Sequence, residues 1–475
     1  MSEFDRLFSA CGCAFKQLRS QERARQLAYG ILNCHGRPTI TGMLSATGNQ
    51  FSDWTQAYRL FNTGRIDVRK LFGCVLDQLL QGPLEGSGPI YCNMDDTLVK
   101  KSGKRVAGTG WKRDPLGPPF CNNFIWGQRF LQLSLSAPLG PGPGPAKAVP
   151  IDFTHCPSPR KPRKNAPIEQ HKAYEAEKKK SKISQRGVEQ IAALRKQLDS
   201  LGAADRQLVL GVDGGYTNGT VLKQLPERVT LIGRTRKDAV LHKLPEPKTG
   251  GRGRKRVYGE RWPTPEEIRQ SEDHQWQQVR AFAAGKEHTF DVKVAKGVRW
   301  KKAGEQDMQL VVVRPLAYRL KKGSKMLYRK PAYLLCTDPD MPVAQLLQAY
   351  IWRWEIEVNF REQKTVIGCG KPQVRTKRAV ESVHAFMVAV YAMILTADHN
   401  IRRKKKEERL PRPKWYQKQT KRRQTTGDLL NLFKAQVWAK AAGINFTHFA
   451  NTHKVAQRRG NTLNPAIAAV CYARK

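Results

Sequence analysis

The sequence predicts an α/β protein, on three observations. Strand-like segments follow one another in PIYCNMDDTLVKK from residue 89, RFLQLSLSAPL from 129 and KAVPIDFTHC from 147, alternating apolar and polar residues as one-sided strands do. A long basic helical stretch, Pro167 to Leu201, then leads into RQLVLGVDGGYTNGTVLKQL, which reads as an apolar strand, a glycine turn and a helix. Strands, then helix, strand and helix, is the order of an α/β sheet rather than of a bundle or a sandwich.

The remaining elements extend that core at both ends. Residues 1–85 read as a helical, arginine-rich domain, because RSQERARQLAYGIL and DVRKLFGCVLDQLLQ repeat apolar residues every three or four positions around a turn at GRPTITGMLSATG. Such a unit suits either DNA-end binding or a helical cap on the next domain. The core begins in 86–240 and resumes in 343–400. Between them, 241–342 reads as a β-rich insertion, with a basic glycine loop KTGGRGRKR and short alternating segments in HTFDVKVAKGVRW, MQLVVVRPLAYRL and KPAYLLCTD. The stretch RAVESVHAFMVAVYAMILTA is an almost continuous apolar core helix, and 401–475 is a basic, partly helical C-terminal region.

Charge points to the partner. The chain of 475 residues is 40% hydrophobic, enough for a sizeable core, and carries 84 Lys and Arg against 40 Asp and Glu, a net charge of +44. A surplus that large repels itself unless a polyanion is its usual neighbour, so nucleic acid is the expected partner and no membrane is expected. The N-terminus lacks the basic start and apolar run of a secretory signal, and the expected location is cytoplasmic. Ten cysteines contain no CxxC pair, so neither a zinc ribbon nor a redox dithiol is written here.

In so basic a chain, four acidic residues stand out by context. Asp95 and Asp96 close the first strand, Asp213 follows VLGV just before two glycines, and Glu357 lies inside the aromatic helix YIWRWEIEVNFREQK, residues 350–364. Carboxylates in apolar surroundings need compensating cations. Divalent metal is an apt one, since Mg²⁺ takes a few carboxylates and completes its shell with water and substrate phosphate. Taken singly, each has a plainer reading, as a turn or cap for the aspartates and a helical ion pair for Glu357.

Their joint occurrence carries a resemblance. Tyr350, Arg353, Glu357 and Lys364 reproduce the YREK signature of the DDE transposases of bacterial insertion sequences. NMDDT is similar to that family's first-aspartate strand, and GVDGGYTNGTVLKQL to its second-aspartate strand and helix. The resemblance implies a ribonuclease H-like catalytic core interrupted by a β-strand insertion, with helical N-terminal and C-terminal regions. It implies Asp95, Asp213 and Glu357 as the catalytic, metal-binding triad, holding two Mg²⁺ ions for which Mn²⁺ can substitute. Asp96 stays open as the alternative to Asp95, because either strand position can face the active side. Tyr350, Arg353, Arg361 and Lys364 are the implied DNA contacts, with Arg353 and Lys364 expected to clamp phosphates rather than pair with Glu357. Trp262, Trp276 and Trp300 are the insertion's candidates for holding a flipped base.

The implied protein is a nucleoid-associated transposase. It binds the inverted-repeat ends of its element and target DNA as double-stranded DNA, in a homodimer or larger assembly, cleaves the ends and joins the 3′-OH to the target. Two other readings remain open: a catalytically inactive DNA-binding derivative, and a hydrolytic nuclease of the same fold.

Overall fold

The computed structural model describes residues 1–114, 117–118, 120, 123–140, 142, 144–246, 256–321, 323–404, 409–410 and 424–443. Most of the basic loop KTGGRGRKR and of the basic C-terminal region 401–475 lies outside the described residues.

The predicted α/β class is what the structure has. Its strands are β1 (Ile90–Lys100), β2 (Gly110–Arg113), β3 (Phe124–Pro138), β4 (Ala146–His155), β5 (Leu208–Val212), β6 (Val229–Arg234), β7 (His242–Lys243), β8 (Gln277–Ala283), β9 (Lys286–Arg299), β10 (Asp307–Val313), β11 (Ala317–Tyr318), β12 (Leu327–Tyr328) and β13 (Ala332–Cys336). All except the separate β11–β12 hairpin join one mixed sheet, in the order β2-β3-β1-β5-β6-β13-β10-β9-β7, with β4 on β3 and β8 on β9. The antiparallel meander β1–β3–β4 and the parallel strands β5 and β6 give the order 4-3-1-5-6, the arrangement of a ribonuclease H-like core. β5 is the unbroken apolar run LVLGV, buried along its whole length, as a parallel strand covered on both faces requires.

The β-rich stretch does not stand apart. β13 pairs with β6, so the strands between β6 and the second part of the core extend the same sheet.

The helices are α1 (Ser2–Ser9), α2 (Leu18–Asn33), α3 (Ile40–Ser45), α4 (Thr55–Asn62), α5 (Val68–Leu80), α6 (Ile168–Lys180), α7 (Ile183–Ser200), α8 (Gly219–Leu222), α9 (Pro265–Gln270), α10 (Val343–Trp352), α11 (Trp354–Glu362), α12 (Lys377–Arg403) and α13 (Thr426–Ala441). α12 is long and apolar enough to cross a membrane, yet 94% of its apolar window is buried inside the protein. Its one buried carboxylate, Asp398, is paired with Lys147 at 3.2 Å and Arg402 at 3.0 Å. The N-terminal helices are built into the same core: Phe61 packs on Phe386 of α12, and Phe433 of α13 meets Phe4 at 5.5 Å and Tyr29 at 5.2 Å.

Two expected helices are broken. The basic stretch from Pro167 is interrupted at Ser181–Lys182, and α6, rich in Lys and Glu, buries none of its residues. The aromatic stretch is interrupted at Arg353, which separates α10 from α11, and it ends in a π-turn, Gln363–Ile367, stopped by Gly368 at φ 71°. Gly is the residue that reaches that left-handed conformation without strain. Arg353 keeps helical dihedrals (φ −53°, ψ −33°), so Tyr350, Arg353 and Glu357 stay in contact across the junction, while Lys364 falls in the π-turn.

Candidate active site

The parallel register decides which carboxylates meet. Met94 of β1 lies opposite Val212 of β5, so Asp95 and Asp213, the next residue on each chain, sit side by side where β5 ends; β1 runs on to Lys100, so Asp95 and Asp96 lie in mid-strand and do not close it as expected. Asp213 is fixed by its own turn: its Oδ1 accepts the backbone N–H of Gly215 at 2.9 Å and of Tyr216 at 3.3 Å. Asp95 is more enclosed, with 17% of its side chain exposed. Burial, followed by the neighbouring Asp213 charge, pushes its carboxyl up to about 7, and Arg353 pulls in the opposite direction.

Pleating sends Asp96 the other way. Asp95 lies opposite Gln132 on β3, on the sheet face that carries α11, whereas Asp96 lies opposite Leu131. Asp96 accepts the Tyr216 hydroxyl at 2.8 Å and pairs with Arg129 at 3.3 Å. Burial and the three surrounding aspartates push the Tyr216 hydroxyl far up, so it remains a neutral donor.

Glu357 approaches from α11, and what joins it to Asp95 is Arg353. One guanidinium nitrogen donates to Glu357 Oε1 at 2.9 Å and the other to Asp95 Oδ2 at 3.4 Å. The guanidinium also lies 5.7 Å from the Tyr350 ring centroid, a cation–π distance. Its stem crosses β5 at Gly211, where an added Cβ would come within 3.5 Å of the Arg353 Cβ. The expectation that Arg353 stands clear of Glu357 is thus corrected: in this structure it pairs with both carboxylates, because two part-buried anions require a cation.

The other expected DNA contacts separate. Tyr350 is largely enclosed, and burial pushes its hydroxyl up against the opposing charges of Arg353 and Arg234. Arg361 lines a different cavity, of about 190 Å³, with Lys147, Glu355, Glu362, Tyr391 and Thr426. Lys364 is half-buried; burial pushes its ammonium down, opposed by Cys369 and Asp114. Of the insertion tryptophans, Trp300 is buried, Trp262 packs half-buried against the core, and Trp276 lies under Lys293 at 4.6 Å and Arg314 at 5.5 Å.

A polar network that was not anticipated seats α11. Asn359 Oδ1 accepts from Gln132 at 3.3 Å and Ser134 at 3.2 Å, and its amide donates to the Ala148 carbonyl at 3.0 Å and the Tyr391 hydroxyl at 3.1 Å. Gln363 donates to Gln132 at 2.8 Å. The alternating polar positions of QLSLS in β3 were its only sequence signal; the partners come from α11 and α12.

Asp95 and Asp213 suit a hard divalent cation, which is bound through one or two carboxylates plus water and phosphate. Glu357 can join only by exchanging Arg353. Accordingly, among the described residues no three His, Cys, Asp or Glu side chains are gathered closely enough to hold a metal.

No curated protein matches the chain. A family model described as DDE superfamily endonuclease matches residues 13–302, a span that contains Asp95 and Asp213 and ends before Glu357. Members of such families generally use divalent metal ions and act on DNA. With more than half of its length matched, this chain belongs to the DDE superfamily of endonucleases.

Proposed function

We propose that the protein is a transposase that binds the terminal inverted repeats of its element, cleaves DNA at those ends and joins the 3′-OH to target DNA. The observation that carries this is the placement of Asp95 and Asp213 at matching positions on neighbouring parallel strands, with Glu357 across from them on the far side of Arg353. Three carboxylates so disposed suit a divalent cation, Mg²⁺ or Mn²⁺. Two such ions, when bound, supply activation of the attacking oxygen and charge stabilisation of the leaving oxygen in an in-line phosphoryl displacement.

The chain's own groups set the conditions. Asp95 and Asp213 form an anionic notch that favours cation binding, and Asp213 is held in place by two backbone N–H groups. Arg353 occupies the cluster as an internal cation; a DNA phosphate offers its planar fork an alternative bidentate partner. Exposed cations elsewhere provide the sequence-independent attraction to the backbone. Pairing two DNA ends, each in its own active site, calls for at least two subunits.

The direct test is Glu357→Gln. The amide oxygen can still accept from Arg353, so the variant should fold and bind DNA ends while losing nicking in Mg²⁺. Nicking at the wild-type rate by the purified variant would falsify the assignment of Glu357. A donor-plus-target assay separates transposition from hydrolysis, because a simple nuclease yields linear cleavage without joined product.

A further inference from the structure

The hairpin formed by β2 and the start of β3 carries an aromatic face that nothing in the cleavage reading uses. Trp111 pairs with Trp126 and Arg113 with Phe124. Cross-strand partners, and residues two apart on one strand, share a sheet face, so these four side chains stand together. Trp111 and Trp126 meet edge to face, with ring centroids 5.6 Å apart and 72° between planes. Trp126 is fixed by its indole N–H donating to the Gly103 carbonyl at 3.2 Å. Trp111 is 67% exposed and Phe124 59%. The indole of Trp111 is thus held by its neighbour and open to solvent.

The position of this face is informative. Phe124 and Trp126 are in phase with Gln132, which lies opposite Asp95, so the aromatic face lies on the same side of the sheet as the carboxylates, beyond the buried Gln128 and Phe130. From Gln132 to Trp126 is roughly 20 Å at ~3.3 Å per residue. Lys364 follows Gln363, which donates to Gln132 at 2.8 Å, and it feels the charge of Asp114, the residue after Arg113. Arg113 shares this face, and Lys104 and Arg105 are exposed in the loop that leads into β2.

We propose that the Trp111–Trp126–Phe124 face is a stacking platform for unpaired nucleotides of the DNA strand that runs from the carboxylate site, with Arg113 beside their phosphates. The inference rests on the reading of that site as a DNA-cleaving centre. Aromatic side chains on a cationic track are how proteins hold single strands without regard to sequence, because every base offers a π-face. A second copy of this chain is a poorer occupant, since with a net charge of +44 it brings like charge to a cationic face.

The test uses the full-length protein in chelator, so that no cleavage occurs, with a blunt duplex and the same duplex bearing a short single-stranded tail that contains 2-aminopurine. The wild type should prefer the tailed duplex and alter the probe's fluorescence. Trp111→Ala should lose that preference, by roughly 5- to 150-fold if one base stacks there, with blunt-duplex affinity unchanged. Trp111→Phe should retain most of it, which separates loss of the ring from loss of the fold. Equal binding of both duplexes by the wild type, or an unchanged tail preference in Trp111→Ala, overturns the proposal. So does a Trp111→Ala variant that falls from dimer to monomer in sedimentation while keeping its tail preference, for the face then covers a second subunit. Because the readout is binding without metal, its failure is distinct from a failure of Glu357→Gln to abolish nicking.

Discussion

Replacing Asp95 by Asn should inactivate the protein and, without metal, make it more stable at neutral pH. In the folded chain the Asp95 carboxyl takes up a proton at about 7, against an ordinary 3.8, because it is buried beside Asp213. Folding therefore favours proton binding across that window, and stability falls as pH rises through it. At ~1.36 kcal/mol per tenfold change in proton affinity, the full difference is on the order of 4 kcal/mol. Solvent reaching the partly exposed side chain reduces the expectation to about 2–3 kcal/mol. An Asn cannot ionise, keeps nearly the same shape and leaves Arg353 paired with Glu357 at 2.9 Å. Urea unfolding of both proteins in chelator should show the variant ahead by that margin at about pH 8 and by only about 1 kcal/mol at about pH 4.5, where Asp95 is neutral in the folded chain and ionised mainly in the unfolded one. Added Mg²⁺ should stabilise the wild type and not the variant. A variant no more stable at the higher pH, or a gap equal at both, would show that Asp95 is not a strained anion and would refute the reasoning.

Asp96→Asn should retain cleavage within a few-fold in a nicking assay, because Asp96 faces away from Arg353 and Glu357; weakening its bonds to Tyr216 and Arg129 should cost about 1–2 kcal/mol in urea unfolding. Lys101→Met should destabilise by about 2–4 kcal/mol in the same assay, since the Lys101 ammonium donates to the Gly370 and Pro372 carbonyls and meets His384 Nε2, and its loss leaves buried acceptors unpaired. DNA binding should weaken steeply with salt, by about 10³- to 10⁵-fold between 50 and 200 mM if six to ten phosphates are contacted; a flat profile in fluorescence anisotropy would argue against phosphate-led binding.

Much of the core could be read locally. LVLGV announced an apolar strand, QLSLS an alternating one, and RAVESVHAFMVAVYAMILTA a core helix, because each degree of burial leaves its own periodicity. The acidic candidates could also be picked out, since carboxylates in apolar surroundings are conspicuous in so basic a chain. The helix breaks could not. Arg353 and the Ser181–Lys182 turn contain neither Pro nor Gly to mark them, and the interruptions accompany packing against β5 in one case and a change from solvated to buried helix in the other.

What the sequence by itself determined was where the main strands and helical stretches lie and the short roll of residues able to do chemistry, because periodicity and residue type are local properties. The tertiary structure decided which of them meet. Register and pleat put Asp95 beside Asp213 and turned Asp96 toward Tyr216, a choice that a one-residue slip would reverse. Chain crossing joined Gln132 and Ser134 to Asn359 and so fixed the pose of the Glu357 helix. The enclosure of two anions drew Arg353 between them. Each outcome depends on a partner far away in the chain, and the electrostatic cost of burying a charge exists only once that partner has arrived.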